Sequence, residues 1–146
     1  MFIGEYTHKI DEKGRLALPS KFRPELAAGA VVTRGLDSSL YLYTREEWPE
    51  IAEKLAALPF SNPAARAIQR MMLAGATDVV PDRQGRVIIP GHLRAYAGLG
   101  SGTQDAVVAG LYKRIEIWSA ASWATAQAKT EKETDQVAEH LQSLGI

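Results

Sequence analysis

One motif occurs twice in this chain. Asp11-Glu12-Lys13-Gly14-Arg15-Leu16-Ala17-Leu18-Pro19 matches Asp82-Arg83-Gln84-Gly85-Arg86-Val87-Ile88-Ile89-Pro90, and the match continues through Phe22-Arg23 and Leu93-Arg94 at the same spacing. Self-similarity of this kind marks repeated supersecondary units. Two copies are too few for a solenoid, so they imply two half-units packed about a pseudo-two-fold axis. A looser likeness follows in Val31-Val32 and Val107-Val108, Gly35-Leu36 and Gly110-Leu111, Leu42-Tyr43 and Ile117-Trp118, and Trp48 and Trp123. Extra residues near Gly98-Leu99-Gly100-Ser101-Gly102 account for the change of spacing, because a Gly/Ser-rich loop tolerates insertion. The implied division is a first half over residues 1–75 and a second over 76–146, the second carrying a C-terminal helix.

Each half reads the same way. Tyr6 to Ile10 has strand character, and Asp11 to Gly14 is a turn with Asp at its first position and Gly at its fourth. Leu16 and Leu18 alternate with Arg15 and Ala17, the period of a half-buried strand. Pro19 ends the ladder because it has no N–H, and a short helical turn through Phe22 and Leu26 follows. Val31–Thr33 and Leu40–Tyr43 are the next predicted strands. The second half repeats the pattern at Asp78–Val80, Arg86–Ile89, Val107–Ala109 and Ile115–Trp118.

Thr44-Arg45-Glu46-Glu47 reads as a capping box before a helix with Trp48, Ile51, Leu55 and Leu58 on one face. Pro49 is expected to distort its first turns. Asn62-Pro63 opens another helix, with Ile68, Met71 and Met72 apolar. Ser119 precedes one long polar helix, on which Val137, Leu141 and Leu144 form a stripe expected to face the core. The fold class that results is α+β, mainly β: two pseudo-symmetric halves forming a small barrel with flanking helices.

Composition narrows the function. The 146 residues include no cysteine, which excludes disulfides, thiolate metal sites and cysteine nucleophiles. No stretch reaches the ~20 apolar residues of a membrane span, and Met1 to Glu5 does not resemble a signal peptide; a cytoplasmic address is expected. Seventeen basic residues balance seventeen acidic ones, which excludes a uniformly basic nucleic-acid binder. The charge is nevertheless segregated. Residues 9–23 carry five basic against two acidic side chains, and residues 82–94 carry three arginines against one aspartate. The two basic segments are the two copies of the motif.

The fold explains most of the motif. Asp11, Gly14, Asp82 and Gly85 belong to turns, Pro19 to a strand end, Leu16 and Leu18 to the core. Nothing in a hairpin requires Arg15 or Arg86. Each could pair with the aspartate of its own turn, an exposed ion pair of little energetic weight. Duplicated in basic segments, the arginines suit bidentate recognition of phosphate or of guanine O6 and N7. A two-stranded ribbon can enter a major groove. Arg15 and Arg86 are therefore the candidate base or phosphate contacts, with Lys13 and Arg83 as phosphate contacts from the same turns. Lys9, Lys21 and Arg23 are weaker candidates, and Asp11 and Asp82 support the motif.

On these residues the chain resembles the MraZ family of bacterial transcriptional regulators. The two Asp-x-x-x-Arg motifs, Asp11 to Arg15 and Asp82 to Arg86, carry the resemblance, and the stretch Ser61 to Arg70 looks like the family's middle segment. The likeness covers essentially the whole chain. It implies AbrB-like swapped-hairpin half-units and a ring-shaped homo-oligomer in the cytoplasm, associated with the nucleoid. It also implies binding to tandem G-rich boxes in double-stranded promoter DNA. The expected role is repression of the division and cell-wall gene cluster, including the protein's own operon.

Other classes fit the sequence less well. His8, His92 and His140 lie in separate segments without metal spacing. The Gly98–Gly102 loop lacks the Gly-Lys-Ser/Thr of a phosphate loop, and no catalytic, cofactor or metal constellation is evident. An oligomeric protein-interaction module could use Trp48, Trp118, Trp123 and Tyr43, residues whose default is packing. An AbrB-type antitoxin resembles a single half-unit with a disordered tail, against which the two fused halves and helical middle argue.

Overall fold

The computed structural model describes all 146 residues. Eight antiparallel strands form one sheet: β1 (Phe2–Ile10), β2 (Arg15–Ala17), β3 (Ala30–Arg34), β4 (Leu40–Thr44), β5 (Thr77–Val79), β6 (Arg86–Ile88), β7 (Gln104–Tyr112) and β8 (Arg114–Ser119). Their order is β5-β3-β4-β8-β7-β1-β2-β6, a nearly closed barrel. Six helices accompany it: α1 (Arg23–Leu26), α2 (Trp48–Ala56), α3 (Pro63–Gln69), α4 (Gly91–Tyr96), α5 (Ala120–Lys132) and α6 (Thr134–Ser143). None is long and apolar enough to cross a membrane.

The pairing exchanges strands between the halves. β1 lies on β7 and β5 on β3, while the equivalent strands β2 and β6, and β4 and β8, pair with each other. Interchanging the halves reproduces the order around the barrel except that β1 pairs with β2 while β5 does not pair with β6, which is the pseudo-two-fold symmetry that the repeat implies. The core obeys it. Leu16 and Val87, Leu18 and Ile89, Phe22 and Leu93, and Leu42 and Ile117 are equivalent pairs, and all are buried in one cluster inside the barrel.

The barrel has one open seam, between β5 and β6. β1 meets β2 through the rung Ile10↔Leu16. The residue equivalent to Ile10 in the second half is Pro81, and no such rung joins β5 to β6 there. The turn bonds remain there, Asp82 N–H donating to Arg86 O at 2.8 Å and Gly85 N–H to Asp82 O at 3.0 Å.

The helices cover one side of the barrel. Tyr41, Tyr43 and Met72 form a second small core under α2 and α3, with Trp48, Ile51, Leu55 and Ile68 packed against it. A π-type turn, Arg70–Ala74, extends α3, and Thr33 Oγ1 donates to the Met72 carbonyl within it at 2.6 Å. Buried Glu116 on the same side is satisfied twice: it pairs with Arg114 at 2.9 Å and accepts from Trp118 Nε1 at 3.0 Å.

Several elements differ from the sequence reading. β1 begins at Phe2 because Phe2 is buried and pairs with Tyr112 on the long strand β7. The capping box forms by half: Glu47 N–H donates to Thr44 Oγ1, while Thr44 itself ends β4. Pro49 lies in the first turn of α2, where its missing N–H would have no helical partner, so the helix accepts it. The polar tail is two helices divided at Glu133, and its stripe is not core: Val137 and Leu144 are exposed, and α6 buries no residue. Gly110, aligned with the loop residue Gly35, lies inside β7, where a Cβ would meet the backbone of Phe2 and Ile3.

The barrel interior carries the stability. Leu16→Ala is expected to cost about 2–5 kcal/mol through the cavity it leaves, whereas Leu55→Ala or Trp123→Ala, at half-buried helical positions, should cost less. Thermal unfolding of the three variants checks this ranking, and an unchanged melting temperature for Leu16→Ala would contradict it.

Candidate nucleic-acid interface

The two motif turns have the same internal wiring. Asp11 Oδ1 accepts from the backbone N–H groups of Lys13 and Arg15 at 3.0 and 2.9 Å, and its Oδ2 accepts from Arg15 Nε at 2.6 Å. Asp82 Oδ1 accepts from Gln84 and Arg86 N–H at 2.8 and 2.9 Å, and its Oδ2 from Arg86 Nε at 3.0 Å. One carboxylate therefore closes each turn and holds the side chain of the arginine that follows. Both aspartates have their pKa lowered, chiefly by the backbone N–H of the arginine and further by its guanidinium.

Only one of the five guanidinium N–H donors is engaged in each case. No Nη of Arg15 or Arg86 has a partner within the protein. Fixing Nε while leaving both Nη groups free presents the end of the guanidinium, an edge able to make two parallel hydrogen bonds.

The glycines of the turns are locked from the opposite half. Gly14 and Gly85 have φ of 85° and 75°, a region that favours glycine. A Cβ on Gly14 would meet the Ile89 carbonyl and the Arg94 guanidinium, and one on Gly85 would meet Arg23. Arg23 Nε donates to Leu18 O and Arg94 Nε to Ile89 O, both at 3.0 Å, and Arg94 Nη1 reaches Glu12 O at 3.1 Å. Arg23, weighed above as a weak DNA candidate, is thus a strut under the other half's turn. Arg94 has the same role. The sequence reading missed it, although its place in the repeat, opposite Arg23, is the signal that could have revealed it.

The two arginines share one surface. β2 and β6 pair through Arg15↔Ile88, Leu16↔Val87 and Ala17↔Arg86. Leu16 and Val87 are fully buried, so alternation turns Arg15, Ala17, Arg86 and Ile88 outward. Arg15 and Arg86 are therefore diagonal neighbours, a relation that separates such positions by about 7–8 Å. Each half contributes one copy of the motif. The structure joins them into one ribbon, with the 11–14 and 82–85 turns at its opposite ends.

The remaining candidates are dispersed. Lys13 and Arg83 are exposed in the two turns, and Lys21 is exposed in the short 3₁₀ turn Ser20–Phe22. None of the three is in an ion pair. Lys9 differs, since its Nζ pairs with Asp105 Oδ1 at 2.8 Å across β1 and β7.

The aspartate locks should respond to acid with a defined sign. A carboxylate whose folded pKa is lowered contributes above the ordinary value, 3.8, and that contribution disappears as pH falls through the folded value. The Nε–H resonances of Arg15 and Arg86 are thus expected to hold steady from neutral pH to about 4 and to move only below it. Asp11→Asn should abolish the Arg15 transition alone. Movement near pH 5–6 in an NMR titration would contradict the geometry.

Comparison with known proteins agrees with the repeat. The family described as "MraZ protein, putative antitoxin-like" matches twice, over residues 1–71 and 72–144. A protein of Herpetosiphon aurantiacus named "Transcriptional regulator MraZ" is 49% identical over 146 residues, the whole of both chains. One of the same name from Desulfitobacterium hafniense is 47% identical, also over the whole of both chains. Another from Salinispora tropica is 49% identical over 133 residues, 91% of this chain and 92% of its own.

Proposed function

The chain belongs to the MraZ family, and we propose that, like the relatives named as transcriptional regulators, it is a DNA-binding transcriptional regulator that reads duplex DNA with the outer face of β2 and β6. The observation that carries this reading is the pair of arginines on one sheet face, each fixed through Nε by its own aspartate with both Nη groups free. That edge matches guanine O6 and N7 in the major groove, and a two-stranded ribbon fits the groove. Arg15 and Arg86 read guanine. Lys13 and Arg83 contact flanking phosphates, with Lys21 further out. Asp11 and Asp82 set the arginine geometry without touching DNA. Lys9 is the weakest contact, because it must first leave Asp105.

Affinity follows from number. Salt-dependent DNA binding grows with the phosphates neutralised, and one neutral chain offers few. A ring-shaped homo-oligomer that lays several such faces along one duplex makes the later contacts intramolecular. Tandem G-rich promoter boxes are the matching target. In this reading the protein works at the nucleoid, as a repressor of its own operon within the division and cell-wall gene cluster.

The test uses duplexes selected from random DNA by the full-length protein, with salt held constant. Arg15→Ala combined with Arg86→Ala is expected to lose specific binding in a gel shift, each arginine being worth about 1–3 kcal/mol of base discrimination. Its melting temperature should stay near that of the parent, since neither side chain is in the core. Parental affinity in the double variant would overturn the assignment.

A further inference from the structure

The arginines on the ribbon are symmetric, but the residues between them are not. Opposite Arg86 stands Ala17, and opposite Arg15 stands Ile88. Ile88 is 61% exposed and stands beside Arg15 on the outer face. Exposed Val80 flanks it across the open seam, and together with Asp78 and Val79 they line a shallow groove. The equivalent positions in the first half are Lys9 and Ala17. One end of the ribbon is therefore apolar where the other is small and cationic.

The rung geometry brings Ile88 close to Arg15. Ile89 N–H donates to Gly14 O at 2.8 Å and Leu18 N–H to Gly85 O at 3.0 Å, so these flanking rungs are hydrogen-bonded. Arg15↔Ile88 then falls on a non-hydrogen-bonded rung, where opposed side chains approach most closely. Resting on the reading of this face as a DNA reader, we propose that Ile88 is a specificity-determining residue. It packs on the C5-methyl group of a thymine adjacent to the guanine read by Arg15.

Two features favour a base edge as its occupant. The thymine methyl is the one apolar group that the major groove displays, and apolar side chains recognise it. The exposed carboxylate of Asp78 at the groove repels phosphate, which leaves the base edge and not the backbone as the surface this patch meets. Ala17 is too short to make the same contact from the other half. The pseudo-symmetric ribbon thereby gains a direction, with a methyl-sensing end beside Arg15 and a methyl-indifferent end beside Arg86.

Deoxyuridine, which lacks only the methyl group, tests this. In a selected duplex, thymines are replaced one at a time by deoxyuridine and titrated with the parent and with Ile88→Ala. The parent should lose about fourfold in affinity at one position per box, the weight of one buried methyl group. Ile88→Ala should bind the thymine and deoxyuridine duplexes equally, with unchanged melting and sedimentation. An equal penalty in both proteins, or no penalty in the parent, overturns the assignment of Ile88 while leaving the arginine reading intact. So does an Ile88→Ala variant whose oligomeric state shifts without any change in methyl dependence, which would make the patch a contact between copies. Failure of the parent to select any sequence overturns the regulator reading and the Ile88 contact together.

Discussion

The short ladder between β2 and β6 is the contact on which the rest of the molecule depends. Its central rung, Leu16↔Val87, is fully buried on the inner side, while its outer side carries Arg15 and Arg86. Because these two strands come from different halves, neither half can complete the barrel interior alone. The same rung fixes where the arginines stand relative to each other. A slip of one residue would turn both into the core and expose the leucine and valine, at a cost that no surface interaction could offset. Stability of the core and spacing of the cationic groups are thus one constraint.

Around that ladder the wiring favours rigidity over added stability. An ion pair as exposed as Arg86 with Asp82 contributes little to folding. It does restrict a long side chain, and so removes in advance much of the ordering cost that binding would otherwise carry. Arg23 and Arg94 add a second layer. Each crosses to the other half and closes over the glycine of its turn, so the turn geometry depends on the assembled barrel. The helices complete the arrangement by covering β3, β4 and β8, which leaves β2 and β6 bare.

Much of this was legible in the residues, and the physical reasons separate what was from what was not. Turn and strand chemistry are local, so Asp11-to-Gly14, the period-two strand after it and the terminating proline could be read directly. The symmetric core followed from repeat equivalence, as with Leu18 and Ile89. Strand exchange was accessible only through the resemblance, since pairing partners are set by long-range packing. That exchange is why the two copies of the motif share one face. Arg23 read as a surface cation because charge alone does not distinguish a side chain aimed at solvent from one laid across a backbone. Val137 and Leu144 read as core because amphipathic spacing reports a face without reporting whether anything covers it.

The departures from symmetry are as informative as the symmetry. Positions inside the barrel stay apolar in both halves, since each must fill the same cavity. Positions outside are free to diverge, and beside the open seam Val80 and Ile88 stand in place of Lys9 and Ala17. Val80 and Ile88 stand exposed beside that seam, Ile88 because alternation on β6 turns it outward. A perfectly symmetric ribbon would present the same pattern in both orientations and could not distinguish one direction along a duplex from the other. The asymmetric seam removes that degeneracy without disturbing either aspartate–arginine lock, because it alters side chains on the rungs and leaves the aspartate, glycine and arginine of each motif in place.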